Sequence, residues 1–193
     1  ALPICLVFRM YNDGLAYRFT TKMKNDIVVV DEEADYTFSS DHMAFAPYVN
    51  SKKATFEEQF MNSFEQPYVH EPITKLNSKR LMILPLLVEL DGGKKLCITE
   101  ADLEDYPGMF LNNSTDKPVL KPIFASYPKV KKQGGHNNLQ MLVEEREDYI
   151  AKTSGTRAFP WRVFIVSEND KQLADCDMVY RLASPCRLQD VFW

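Results

Sequence analysis

Short runs of apolar and β-branched residues recur along this chain, and turn-forming residues separate most of them at intervals of about ten residues. That rhythm is the signature of an antiparallel β-sandwich. Residues 5–10 and 15–20 are the clearest pair, joined by Tyr11-Asn12-Asp13-Gly14, whose Asp-Gly step tolerates the positive φ of a hairpin turn. Period-two alternation puts Leu15, Tyr17 and Phe19 on one face and Ala16, Arg18 and Thr20 on the other. Residues 27–31 read as a strand that runs into solvent through Asp31-Glu32-Glu33 and resumes at 36–38. The most apolar segment, 81–90, reads as a strand with a bulge or edge position at Pro85. Asp91-Gly92-Gly93 turns it back into 95–99. Further strands are expected at 109–111, 119–127, 139–145, 149–152, 161–167 and 178–183. Residues 39–50 and the lysine- and glycine-rich 129–138 read as loops. Phe56, Phe60 and Phe64 fit a helix or a strand face equally, and 55–65 is assigned as extended.

At 193 residues the chain can bury roughly 70% of its unfolded surface, enough for one sizeable core in a single domain without staples. With 23 Lys and Arg against 27 Asp and Glu, the net charge is -4. The basic residues are scattered, which argues against a nucleic-acid partner. No apolar run is long enough for a membrane span, and no signal peptide is visible. The start at Ala1, without an initiator Met, suggests that sequence has been lost ahead of it. Cys5, Cys97, Cys176 and Cys186 match no zinc or disulfide pattern and read as buried thiols.

The densest chemical stretch is Glu100-Ala101-Asp102-Leu103-Glu104-Asp105, with four carboxylates in six residues. Groups this close repel, so they are solvated in a turn or neutralised by a cation or sugar hydroxyls. Glu100 leads because it stands where the 95–99 strand ends, and loops on a rigid base carry function. Along an extended chain Glu100 and Asp102 lie roughly 6.6 Å apart, inside the roughly 6.5–9.5 Å of an inverting glycosidase pair. Two residues on one strand face point the same way, however, whereas that acid and base approach from opposite sides. An EF-hand is excluded by the missing glycine and glutamate. His42, His70 and His136 lack zinc-ligand spacing, and no nucleophile elbow, phosphate loop or dinucleotide fingerprint is present. No residue is assigned a catalytic role.

A second stretch runs from Thr153 to Arg162. A Trp face and planar Arg donors suit hydroxyl-rich ligands, so Arg157, Trp161 and Arg162 are the candidate substrate-binding residues. The competing reading places Trp161 in the core and pairs Arg162 with an acidic neighbour.

Three segments in order, 11–19 (YNDGLAYRF), 99–109 (TEADLEDYPGM) and 155–163 (GTRAFPWRV), resemble the N-terminal domain of glycoside hydrolase family 97. The resemblance covers residues 6 to 193 and is weakest over 41–79. It implies an all-β, galactose mutarotase-like antiparallel β-super-sandwich spanning 1–193 as one N-terminal domain. The family carries further strands ahead of the hairpin, so the sandwich is expected to lack its first strands. A catalytic (β/α)₈ barrel is expected beyond Asp190-Val191-Phe192-Trp193. The family's enzymes are bacterial, exo-acting, calcium-assisted α-glucosidases and α-galactosidases. By resemblance Glu100 is a metal ligand in a calcium site completed only by the barrel, the substrate is an α-linked glucoside or galactoside oligosaccharide, and the location is periplasmic or secreted. The fragment alone is expected to be inactive. A free-standing carbohydrate-binding or adhesin module is the alternative.

Overall fold

The computed structural model describes residues 3–49, 55–61 and 65–188. The expected hairpin forms from β1 (Ile4–Tyr11) and β2 (Gly14–Lys22). Gly14 is required there, because its φ is 153° and an added Cβ would lie 2.2 Å from the Phe164 carbonyl oxygen on the adjoining strand.

β3 (Ile27–Val29), β4 (Tyr36–Thr37) and β5 (Met43–Ala46) follow. Contrary to expectation, β4 does not resume β3. The former pairs with β10 (Val119–Ile123) and the latter with β13 (Ala151–Thr153), so the chain changes sheet between them. Residues 43–46, expected in a loop, are a central strand whose Ala44 and Ala46 are fully buried. Alanine has little β preference of its own, so packing rather than local propensity makes this strand.

The extended structure expected at 55–65 is instead α1 (Phe56–Phe60), set by a capping box between Thr55 and Glu58. Gln59, fully buried, anchors it by donating to the Lys79 carbonyl at 2.8 Å and accepting from the Leu81 amide at 2.7 Å. Phe64 lies outside the described residues, as do 1–2 and the 189–193 ending.

β6 (Val69–Pro72), β7 (Leu86–Glu89), β8 (Lys95–Ala101) and β9 (Phe110–Asn112) come next. Pro85 does not mark an edge: it precedes β7, which lies between β5 and β8. Of the expected 129–138 loop only 135–138 is one, the turn between two strands. β11 (Pro128–Gly134) pairs with β12 (Gln140–Arg146) as a two-stranded hairpin, exposed along most of its length, so the ladder rather than burial holds it and no alternation betrays it. β14 (Thr156–Ala158) and β15 (Trp161–Ser167) lead into α2 (Asp170–Ala174) and α3 (Met178–Leu182). A strand was expected at 178–183; Met178 and Leu182, four apart, instead share the buried side of a helix.

All pairings between the named strands are antiparallel. The main sheet runs β1-β2-β15-β8-β7-β5-β6, with β14 also on β2. Its inner face meets the β4-β10-β9 and β3-β13 sheets over a core that includes Ala44, Leu86, Ile98, Leu111, Leu120 and Ile150. Its outer face is covered in part by α2 and α3 through Ala16, Trp161, Val163 and Ile165. At the β1 edge the inner-face residues Ile4, Leu6, Phe8 and Met10 are exposed. The result is the all-β antiparallel architecture expected. No helix is long and apolar enough to cross a membrane among the described residues. The four cysteines form no disulfide, but they are not buried as expected: Cys5 and Cys186 are exposed, and Cys97 and Cys176 half-buried.

Candidate functional site

Two central strands build the site. β8 and β15 are registered so that Glu100 stands directly opposite Arg162, and β2 places Tyr17 on the other side of Arg162. Directly opposed residues share a sheet face, so all three point inward. Glu100 is therefore inside β8, which runs on to Ala101, and not beyond its end as the sequence suggested.

Arg162 is 1% exposed, and its guanidinium is filled by two carboxylates. Nε and one terminal nitrogen donate to Glu32 at 2.8 and 2.7 Å, while the other terminal nitrogen donates to Glu100. The second Glu100 oxygen accepts from the Met109 amide at 3.0 Å. Glu32 also accepts from the Tyr106 hydroxyl at 3.2 Å. The rings of Phe124 and Tyr106 lie 5.0 and 5.9 Å from the guanidinium carbon. Tyr17 and Tyr36 join hydroxyls at 3.0 Å, and Tyr36 reaches the Met109 sulfur at 3.5 Å.

Two carboxylates against one guanidinium leave this buried cluster with a formal charge of -1. Burial raises the Glu100 pKa above the ordinary carboxylate range; Arg162 and the Met109 amide oppose that rise, and Glu32 adds to it. For Arg162 burial disfavours the charged form, but Glu32 and Glu100 outweigh it and hold the group charged. Burial likewise keeps the hydroxyls of Tyr36 and Tyr106 protonated, so both remain donors. Glu32 and Tyr106 also line a groove of about 570 Å³ with Phe19, Val28, Val30 and Phe159.

The remaining carboxylates of the acidic stretch shape the turn after β8. Asp102 adopts a positive φ of 60° and turns to the outer face, accepting from the Ser184 amide at 2.8 Å and from Arg18 at 3.5 Å. Glu100 and Asp102 thus diverge, and do not point the same way as an unbroken strand requires. Glu104 pairs with Arg187. Arg157 ties this turn to β14, donating to the carbonyls of Glu104 and Asp105 and, at 2.6 Å, to the Thr153 hydroxyl.

Trp161 and Arg162, adjacent on β15, project to opposite faces, and each is 1% exposed. Trp161 lies beneath the guanidinium groups of Arg18 and Arg9, at 4.3 and 4.9 Å. The two residues therefore do not meet on one platform, and Arg157 stands apart from both as a turn anchor. The arrangement follows the competing reading, with Trp161 in the core and Arg162 paired with acids.

Glu32 was the residue that sequence reading missed. It stands in an acidic run that reads as leaving for solvent, yet its side chain is 7% exposed and its partner lies 130 positions away. The sequence signal for it is distant: Arg162, a cation in the otherwise apolar 161–167 strand, needs an acidic partner. Among the described residues no three His, Cys, Asp or Glu side chains gather as a metal site. Each Glu100 oxygen accepts a single hydrogen bond and retains a lone pair, so the carboxylate still has acceptor capacity for a cation. With the excess negative charge of the cluster, that donor fits a hard cation whose other oxygens come from elsewhere.

A family model described as Glycosyl-hydrolase 97 N-terminal matches residues 2–185. A protein of Bacteroides thetaiotaomicron named retaining alpha-galactosidase is 50% identical over 187 residues, covering 96% of this chain and 28% of that protein. Two solved structures of a Glycoside Hydrolase Family 97 enzyme from Pseudoalteromonas sp., one in complex with acarbose and one a variant in complex with panose, share 21% identity with it. They give TM-scores of 0.72 and 0.73, covering 98% of this chain and 25% of theirs. At that identity they establish the fold alone. The chain spans about a quarter of the length of each of these relatives.

Proposed function

The chain belongs to the family of glycosyl-hydrolase 97 N-terminal domains, and on that premise we propose that it is the β-sandwich part of an α-glycoside hydrolase, most directly a retaining α-galactosidase. The observation that carries the reading is the 50% identity along almost the whole chain with a protein named for that activity. The acid and nucleophile of such an enzyme belong to a downstream (β/α)₈ barrel on which this domain packs, and the domain lends one wall of the pocket.

In this reading Glu100 is a single ligand to a calcium ion whose remaining oxygens come from the barrel. Support comes from its carboxylate, which keeps a free lone pair on each oxygen within a cluster of two acids and one arginine. When bound, calcium supplies positive charge that stabilises charge development in glycoside cleavage. This chain's contribution is to orient one carboxylate, with Arg162 and the Met109 amide fixing one oxygen each. Arg157 holds the turn beside it. The periplasmic or secreted location is proposed on family resemblance, and fractionation of cells carrying the full gene tests it.

The deciding experiment assays the full-length gene product on p-nitrophenyl α-D-galactoside and α-D-glucoside, following the first-formed anomer by NMR. Faster galactoside cleavage with the α-anomer appearing first, and loss of rate in chelator, is expected. Cleavage of neither substrate would overturn the assignment. A β-anomer formed first would overturn retention.

A further inference from the structure

We propose that Arg162 is a positioning residue for Glu100, and that the Glu32–Arg162–Glu100 cluster sets how tightly Glu100 holds a divalent cation. The inference rests on the reading of Glu100 as a cation ligand given above. Its basis is the order in which the groups are fixed. The strand register brings Arg162 opposite Glu100, but register alone does not aim a long side chain. Glu32 does so by taking Nε and one terminal nitrogen at 2.8 and 2.7 Å, a bidentate grip that locks the plane of the fork. Tyr106 holds Glu32 in turn. The last arm of the fork then has one orientation, and it meets one Glu100 oxygen. The Met109 amide, just before β9, pins the other oxygen at 3.0 Å. The Glu100 carboxylate is thereby held by donors from two separate elements before any cation arrives.

The charge arrangement points the same way. Because Arg162 is shared, Glu32 absorbs much of its positive charge and Glu100 is only partly neutralised. An arginine paired with Glu100 alone would compete with a cation; one divided between two carboxylates orients Glu100 while giving it less than a full counter-charge. Outer-shell partners that orient a ligand in this way typically change metal affinity 10- to 100-fold when altered.

The test measures calcium binding to the full-length enzyme by calorimetry, beside kcat, KM and circular dichroism. Arg162→Lys keeps the charge but cannot bridge both carboxylates, and it should weaken the calcium Kd by about 10-fold or more, with kcat recovering at saturating calcium. Glu32→Gln removes the competing charge, places Arg162 wholly on Glu100, and should weaken calcium several-fold. Folded variants with unchanged calcium Kd would overturn the proposal, provided that Glu100→Gln does weaken binding. If Glu100→Gln also leaves Kd unchanged, the ligand reading itself falls. A readout on the unaltered enzyme covers variants that do not fold: the Met109 amide should resist hydrogen exchange without calcium. An amide protected only after calcium is added would mean that Glu100 is not positioned in advance.

Discussion

Replacing Arg162 with Met removes the one cation between two buried carboxylates while roughly preserving the length of the side chain. Glu32 and Glu100, whose side chains are 7% and 11% exposed, would then lose their shared counter-charge and keep only the neutral donors Tyr106 and the Met109 amide. Three charge-assisted hydrogen bonds are lost, two of them at 2.8 and 2.7 Å. Breaking a buried pair by removing one member typically costs about 3–5 kcal/mol, chiefly because the abandoned charge stays desolvated. A central value of about 4 kcal/mol lowers the melting temperature of a unit this size by roughly 8–16 °C. The assay is thermal and denaturant melting of the full-length protein, with hydrogen exchange of peptides from β8 and β15 to locate the loss. Arg162→Met combined with Glu32→Gln removes one of the stranded charges and should recover about 2 kcal/mol. A loss below about 1 kcal/mol, or a double variant no more stable than the single one, would refute the reasoning that Arg162 neutralises this cluster.

Two further outcomes follow from other parts of the fold. Gln59→Leu leaves the Leu81 amide and the Lys79 carbonyl without their side-chain partner, so it should destabilise by about 2–4 kcal/mol by chemical denaturation, whereas an exposed substitution such as Lys152→Gln should move the midpoint very little. Burial pushes the Cys97 thiol up to about 11, so the folded state holds its proton. The stability this contributes is complete below the unfolded thiol pKa of about 8.5 and is lost as pH rises through 11. Iodoacetamide at pH 8, read by peptide mass spectrometry, should therefore modify Cys97 much more slowly than exposed Cys186, and equal rates would count against it.

The parts of the fold legible in the sequence were those whose signal is local. Asn12-Asp13-Gly14 marks a turn by its own backbone chemistry, and β8 and β15 announce themselves by β-branched and aromatic content. β5 was hidden because its buried face is alanine, and β11 because it has no strongly buried face at all. The helix α1 carried a readable cue in the Thr55–Glu58 capping box, which the ambiguous phenylalanine spacing obscured. In the site, Glu100 and Arg162 were both singled out, but their pairing depends on register between strands 62 positions apart. Glu32 could not be found from its surroundings, since its neighbours Asp31 and Glu33 have the same chemistry and its burial is decided wholly by tertiary contact. Trp161 and Arg162 are adjacent in the sequence, but as consecutive residues of β15 they cannot share a ligand platform. Neighbours on a strand face opposite ways.

The most direct measurement of the central claim is the calcium dependence of turnover by full-length Glu100→Gln on an α-galactoside. Gln keeps the size of the side chain and an acceptor for Arg162, but removes the anionic oxygen. The expected result is a calcium requirement shifted to higher concentration together with a lowered rate at limiting calcium. Turnover that matches the unaltered enzyme both in chelator and in added calcium would contradict the assignment of Glu100.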